Sequence, residues 1–163
     1  MDKLKSKNIK MHCILGNHDV YYRNTNEINS SRELFSNDLT LYEKPEVVNF
    51  DGLDIALLPW VNKTNKDQCV EFIKTASAPI LIGHLELNGY QVMRGVDFQG
   101  GMDKDPFDRY EKVLSGHFHC RQEKESVYYM GTQYQITFSD LHEKKGFHVL
   151  DTESRDIEFI ENP

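Results

Sequence analysis

Three short motifs in this chain join a glycine to side chains that hold metals or move protons. They are Gly16-Asn17-His18-Asp19, Gly83-His84 and Gly116-His117-Phe118-His119. Asn and Asp supply oxygen ligands, and imidazole either ligates through a ring nitrogen or carries a proton near neutral pH. In His117-Phe118-His119 the two imidazoles fall on the same side of an extended chain, close enough to serve one ion or two adjacent ones. Imidazole nitrogen with amide oxygen suits manganese, iron or zinc. Asn, Asp and Gly also form turns for local reasons, so the first motif gains chemical meaning from the two downstream. His12, His142 and His148 lack such companions and read as ordinary polar residues near the surface.

Each motif follows an apolar run that can place it. Residues 9–15 read as a buried strand, residues 79–82 as a strand covered on both faces, and Val113-Leu114 as a brief strand. A glycine after each lets the backbone turn or approach closely, and ligands in α/β folds gather at the C-terminal ends of strands. Between them, residues 21–30 read as a loop, 31–35 as a short helix and 39–42 as a short strand. Asp51-Gly52 between two β-rich runs, 46–50 and 53–58, is a favoured two-residue hairpin turn. Residues 65–77 carry apolar positions at helical spacing, with Thr64 or Asn65 as N-cap. Residues 88–105 read as a loop that orders around a ligand, and aromatic and polar residues in 21–29 and 88–101 would line the site. A helical turn is expected over 107–112 and strands over 126–130 and 135–138. A closing hairpin, 146–150 with 156–160, turns at 151–154. Strands alternating with helices, then consecutive strands, imply a layered α/β sandwich with a mixed sheet.

The 163 residues, 39% hydrophobic and 28% charged, suit one soluble globular domain. No apolar run approaches the roughly 20 residues that span a bilayer, and the basic N-terminus lacks the apolar core of a signal peptide. Cys13, Cys69 and Cys120 are odd in number and widely spaced, against both a disulfide framework and a cysteine-based zinc module. A reducing, cytoplasmic setting follows. The net charge of −7 is not the footprint of a protein that grips nucleic acid by its own field, although bound divalent cations would invert the local potential.

Taken in order, each at a strand end, the three motifs resemble the calcineurin-like metallophosphoesterase superfamily. Residues 82–89, Ser115-Gly116-His117-Phe118-His119 and Tyr129-Met130-Gly131-Thr132 are most similar to its DNA-repair exonuclease branch, the SbcD-type nuclease and the recombination endonuclease subunit of T-even phages. The resemblance implies a layered α/β/β/α sandwich with mixed sheets, and two-metal phosphodiester hydrolysis by in-line attack of an activated water. By position, Asn17, His84 and His117 would ligate the second metal and His119 the first. His18 would stand by the scissile phosphate, with Asp19 orienting it. The resemblance further implies manganese, DNA as substrate, an SMC-like ABC ATPase partner, a possible homodimer and no membrane association. The cytoplasm, or the host cytoplasm for a phage protein, is the implied location.

In the resembled family an Asp-x-His and a Gly-Asp-x-x-Asp motif precede Gly-Asn-His-Asp; here only a lysine-rich lead and one strand precede it. The first metal would keep only His119, without a bridging carboxylate. Two dications about 3.5–4 Å apart repel by roughly 20 kcal/mol even at an effective dielectric of 20, so no stable pair is expected in this chain alone. One weak site at Asn17, His84 and His117 is expected. Residues 1–163 are thus expected to form the C-terminal part of a phosphoesterase domain, N-terminally incomplete and without a cap domain. An open sheet edge and a complementing N-terminal fragment would accompany it. The alternatives are a general phosphoesterase acting on small esters or phosphoproteins, and an inactive remnant.

Overall fold

The computed structural model describes residues 2–163; Met1, the first residue of the expected domain, lies outside them. Its centre is a six-stranded sheet built around a parallel core. The Asp51-Gly52 hairpin joins β3 (Glu46–Phe50) to β4 (Leu53–Leu58) with Phe50 opposite Leu53. Both turn residues have positive φ, 50° and 93°, as the right-twisting two-residue turn requires. Next to β4 run β5 (Ile80–Gly83), β8 (Lys112–Ser115) and β10 (Val127–Tyr129), all parallel to it. An antiparallel edge strand, β9 (Gln122–Lys124), closes that side.

Alternation along β4 divides the core. Ala56 and Leu58 face a cluster with Cys69 and Ile73 of α3 (Lys66–Thr75), and Leu81, Phe107 and Tyr129 join it. Leu53, Ile55 and Leu57 face the other side with Tyr42, Ile80 and Leu114. That second face is partly covered by two small sheets. One pairs β1 (His12–Ile14) in parallel with β2 (Thr40–Tyr42), and the other is the closing hairpin β11 (Gly146–Leu150) and β12 (Ile157–Glu161). An apolar cleft of about 290 Å³ lies between them, lined by Ile14, Tyr42, Phe50, Leu57 and Leu150. The architecture is thus mixed α/β with few helices: besides α3 there are only α1 (Asp2–Lys5) and α2 (Ser30–Phe35) among the described residues. No helix there is long and apolar enough to cross a membrane.

Several expected elements are corrected. The buried strand over 9–15 shrinks to three paired residues, and Ile9 is half-exposed. Residues 88–105 are not an open loop. They fold into a hairpin of β6 (Gln91–Met93) and β7 (Val96–Asp97), tied by Phe98 N–H to Tyr90 O. The helical turn lies at Asp105–Phe107 rather than 107–112. The strand expected over 135–138 is replaced by a 3-10 turn, Phe138–Asp140, because Thr137 and Asp140 form a capping box. Two reciprocal side-chain bonds to orphan N–H groups outweigh the β-propensity of Ile136 and Phe138. Asn65 holds the N-cap position of α3 but makes no capping bond; its side chain bonds Trp60 O and Asn62 N–H instead.

Leu81 is fully buried and Phe138 is 99% exposed. Leu81→Ala is expected to cost about 2–5 kcal/mol of unfolding free energy, and Phe138→Ala to stay within about 0.5 kcal/mol of wild type, as read from urea denaturation.

Candidate metal centre

The parallel strands end in a common row. Leu58 pairs with Gly83, Gly83 with Ser115, and Ser115 with Tyr129. The residues just past that row therefore emerge together at one edge, which puts Trp60, His84 and His117 side by side. β1 approaches the same edge, where Trp60 N–H donates to Leu15 O at 2.8 Å, and this carries Gly16 and Asn17 against His84. The close approach needs glycine. A Cβ on Gly16 would stand 2.9 Å from His84 Cε1, and one on Gly116 would stand 3.2 Å from its Nδ1.

Three donor atoms meet here. Asn17 Oδ1 lies 2.8 Å from His84 Nε2 and 3.3 Å from His117 Nδ1, and the two ring nitrogens are 3.2 Å apart. Two ligands about 2.1 Å from one ion and about 90° apart are separated by about 3.0 Å, so the triangle has the dimensions of one face of a coordination shell. Glu86 sets the orientation of one ring. Its Oε1 stands 3.0 Å from His117 Nε2, and since a carboxylate only accepts, the proton is on Nε2 and the Nδ1 lone pair points into the triangle. Glu86 is itself held by its neighbours. Leu85 N–H donates to Ser115 Oγ, Leu87 N–H donates to Tyr129 Oη, and that hydroxyl donates to Leu85 O.

The turn 116–119 is not extended. His117 has φ of 80°, a left-handed conformation that costs a residue with a Cβ roughly 1–3 kcal/mol and gathers at functional sites. Phe118 anchors the turn, buried and stacked on Tyr129 at 4.8 Å. Trp60 stacks on His117 at 5.5 Å and meets His84 edge-on at 6.0 Å. The expected same-side arrangement of His117 and His119 is corrected accordingly. His119 turns toward Asp140, its Nδ1 3.7 Å from Oδ2.

Electrostatics keep the cluster neutral in the absence of a cation. Burial, with the His117 and His18 charges behind it, pushes the His84 pKa down from 6.5 to about 4. Burial also lowers the His117 value, against Glu86, which raises it, and with His18 and His119 adding to the depression. Among the described residues no three His, Cys, Asp or Glu side chains form a metal-binding group; the third donor is the Asn17 amide.

Of the expected site residues, Asn17, His84 and His117 are in contact, and His18 is exposed beside them. Asp19 Oδ2 accepts the Gly16 N–H at 2.7 Å and its Oδ1 the Ser31 hydroxyl at 3.1 Å, which fixes the turn that carries Asn17 and His18. Of the two segments expected to line the site, 21–29 places Tyr21 and Ile28 beside His18. Gly101 and Met102 share a cleft of about 270 Å³ with Trp60, Lys63, His84 and Glu86. Glu86, Trp60, Asp140 and Lys145 were not singled out as site residues by the sequence. An Asp-x-His does occur downstream, at Asp140-Leu141-His142, with Asp140 buried behind His119.

The fold and the cluster describe a mixed α/β protein with a metal-competent histidine–amide site at the C-terminal edge of its parallel strands. No family model matches the chain. It is 40% identical over 161 residues to Exonuclease subunit 1 of Enterobacteria phage T4, a match over 98% of this chain and 47% of that protein. The chain therefore spans about half the length of the curated relative it matches. Identity at that level over nearly the whole chain shows that the two sequences are related.

The depressed His84 value bears on stability. Between about 4 and 6.5 the unfolded chain takes up a proton that the folded chain refuses, so stability falls as pH drops through that window. The urea midpoint is expected to decline from pH 7 to pH 4.5, and His84→Gln to flatten that decline; an unchanged slope in the variant would contradict the assignment.

Proposed function

We propose that this chain is part of a nuclease subunit that hydrolyses DNA phosphodiesters with a divalent metal, manganese foremost, in recombination and repair. The convergence of Asn17 Oδ1, His84 Nε2 and His117 Nδ1 within 3.3 Å of one another carries the reading, and the 40% identity to a phage exonuclease subunit supports it. In this reading the protein has the α/β/β/α sandwich of the metallophosphoesterases and works in the cytoplasm.

A bound divalent cation supplies Lewis acidity and neutralises charge on phosphate. The rest is the work of the chain. Asn17, His84 and His117 hold the cation, and Glu86 keeps the His117 proton on Nε2 so that Nδ1 stays free to ligate. Trp60 shields the two rings from water on one side. His18, exposed beside the cluster, holds a proton for the departing oxygen. His119 would be a ligand of a second metal. An SMC-like ATPase is the proposed larger partner, a reading favoured by the word subunit in the relative's name.

Calorimetry of the chain with Mn²⁺ is expected to give one weak site, lost in His117→Ala and in Asn17→Ala. Cleavage of duplex DNA ends is expected to need Mn²⁺, to stop with chelator, and to exceed hydrolysis of an aryl phosphate. Mn²⁺ binding that survives His117→Ala would refute the site, and preference for the aryl phosphate would point to small esters.

A further inference from the structure

Behind the histidine turn lies a buried charged pair. Asp140 is 1% and Lys145 7% exposed, and Lys145 Nζ stands 3.0 Å from Asp140 Oδ1. The lysine also donates to Glu143 Oε2 at 2.8 Å and to the carbonyl oxygen of His119 at 2.8 Å. Asp140 Oδ2 accepts from the backbone N–H groups of Ile136 and Thr137 and from the Thr137 hydroxyl. The same oxygen faces His119 Nδ1 at 3.7 Å. The remaining acidic and thiol groups of the cluster are engaged with one another, since Cys120 Sγ donates to Glu143 Oε1 at 3.3 Å.

Buried ion pairs of this kind are weak contributors to stability, because desolvation offsets most of their attraction. What distinguishes this one is where its two arms go. The lysine grips the backbone of His119 and the aspartate faces its ring. Gly131 packs against the same carbonyl, where a Cβ would stand 2.9 Å from His119 O, so the backbone at His119 is confined from two directions. At 3.7 Å the carboxylate acts on the imidazole through its charge, which favours an N–H dipole aimed at it.

We propose that Asp140 and Lys145 are positioning residues for His119: Lys145 fixes its backbone, and Asp140 selects the tautomer with the proton on Nδ1, leaving the lone pair on Nε2. The role as a metal ligand rests on the reading above; the tautomer does not. It is the arrangement in which a group behind a histidine ligand fixes its orientation and its lone pair.

Long-range ¹H–¹⁵N correlation spectra of the metal-free chain, without DNA, report the tautomer directly. His119 is expected as Nδ1–H; an Nε2–H ring in wild type overturns the proposal whatever any variant does. Asp140→Leu with Lys145→Met removes both charges together and so avoids stranding one of them. In that double variant His119 is expected to shift to Nε2–H. A folded double variant with the wild-type tautomer also overturns it.

Discussion

The in-register row across the parallel strands is the constraint on which the site depends. Leu58, Gly83, Ser115 and Tyr129 lie on one line, and a shift of one residue in any strand would turn its side chains to the opposite face. The register is secured because both faces of these strands are packed, by α3 and residues 85–110 on one side and by the small sheets on the other. What leaves three of these strands beyond that line builds the site. Trp60, His84 and the 116–119 turn come from strands distant in sequence and are brought together by strand order alone.

The site is built from neutral groups in a partly buried setting. Two imidazoles and an amide oxygen in close contact gain little from one another and would gain much from a shared cation. The surrounding structure resists the alternative of a proton, since a charge on His84 or His117 is disfavoured by burial and by the neighbouring histidines. The left-handed backbone at His117 is a further cost that the stacking of Trp60, the Glu86 bond and the anchoring of Phe118 offset. Without a carboxylate among the three donors, the cluster has one-cation character.

Much of this was legible in the sequence. The Asp51-Gly52 hairpin, the helix ending at Thr75 and the strands ending at Gly83 and Ser115 follow from turn chemistry and apolar patterning, which are local. The three glycine motifs pointed to a shared edge because glycine after a strand marks a turn or a close approach, and Gly16 and Gly116 prove to flank the His84 ring. The supporting residues were harder to find, since their partners are 26 to 31 positions away, as with Lys145 and His119 or His117 and Glu86. No local pattern encodes such a distance. Asp140 did carry a signal, Thr137 and Asp140 at capping-box spacing, which the β-branched Ile136 and Thr137 masked. The β6–β7 hairpin, three residues against two, is too short to show an alternating pattern in the sequence.

The proposed site holds one cation between Asn17, His84 and His117. A crystal of the chain soaked in Mn²⁺ and measured at a wavelength sensitive to manganese would show it. A single strong anomalous peak is expected about 2.1 Å from Asn17 Oδ1, His84 Nε2 and His117 Nδ1. A peak elsewhere, or three donors that remain bonded only to one another at saturating Mn²⁺, would contradict it.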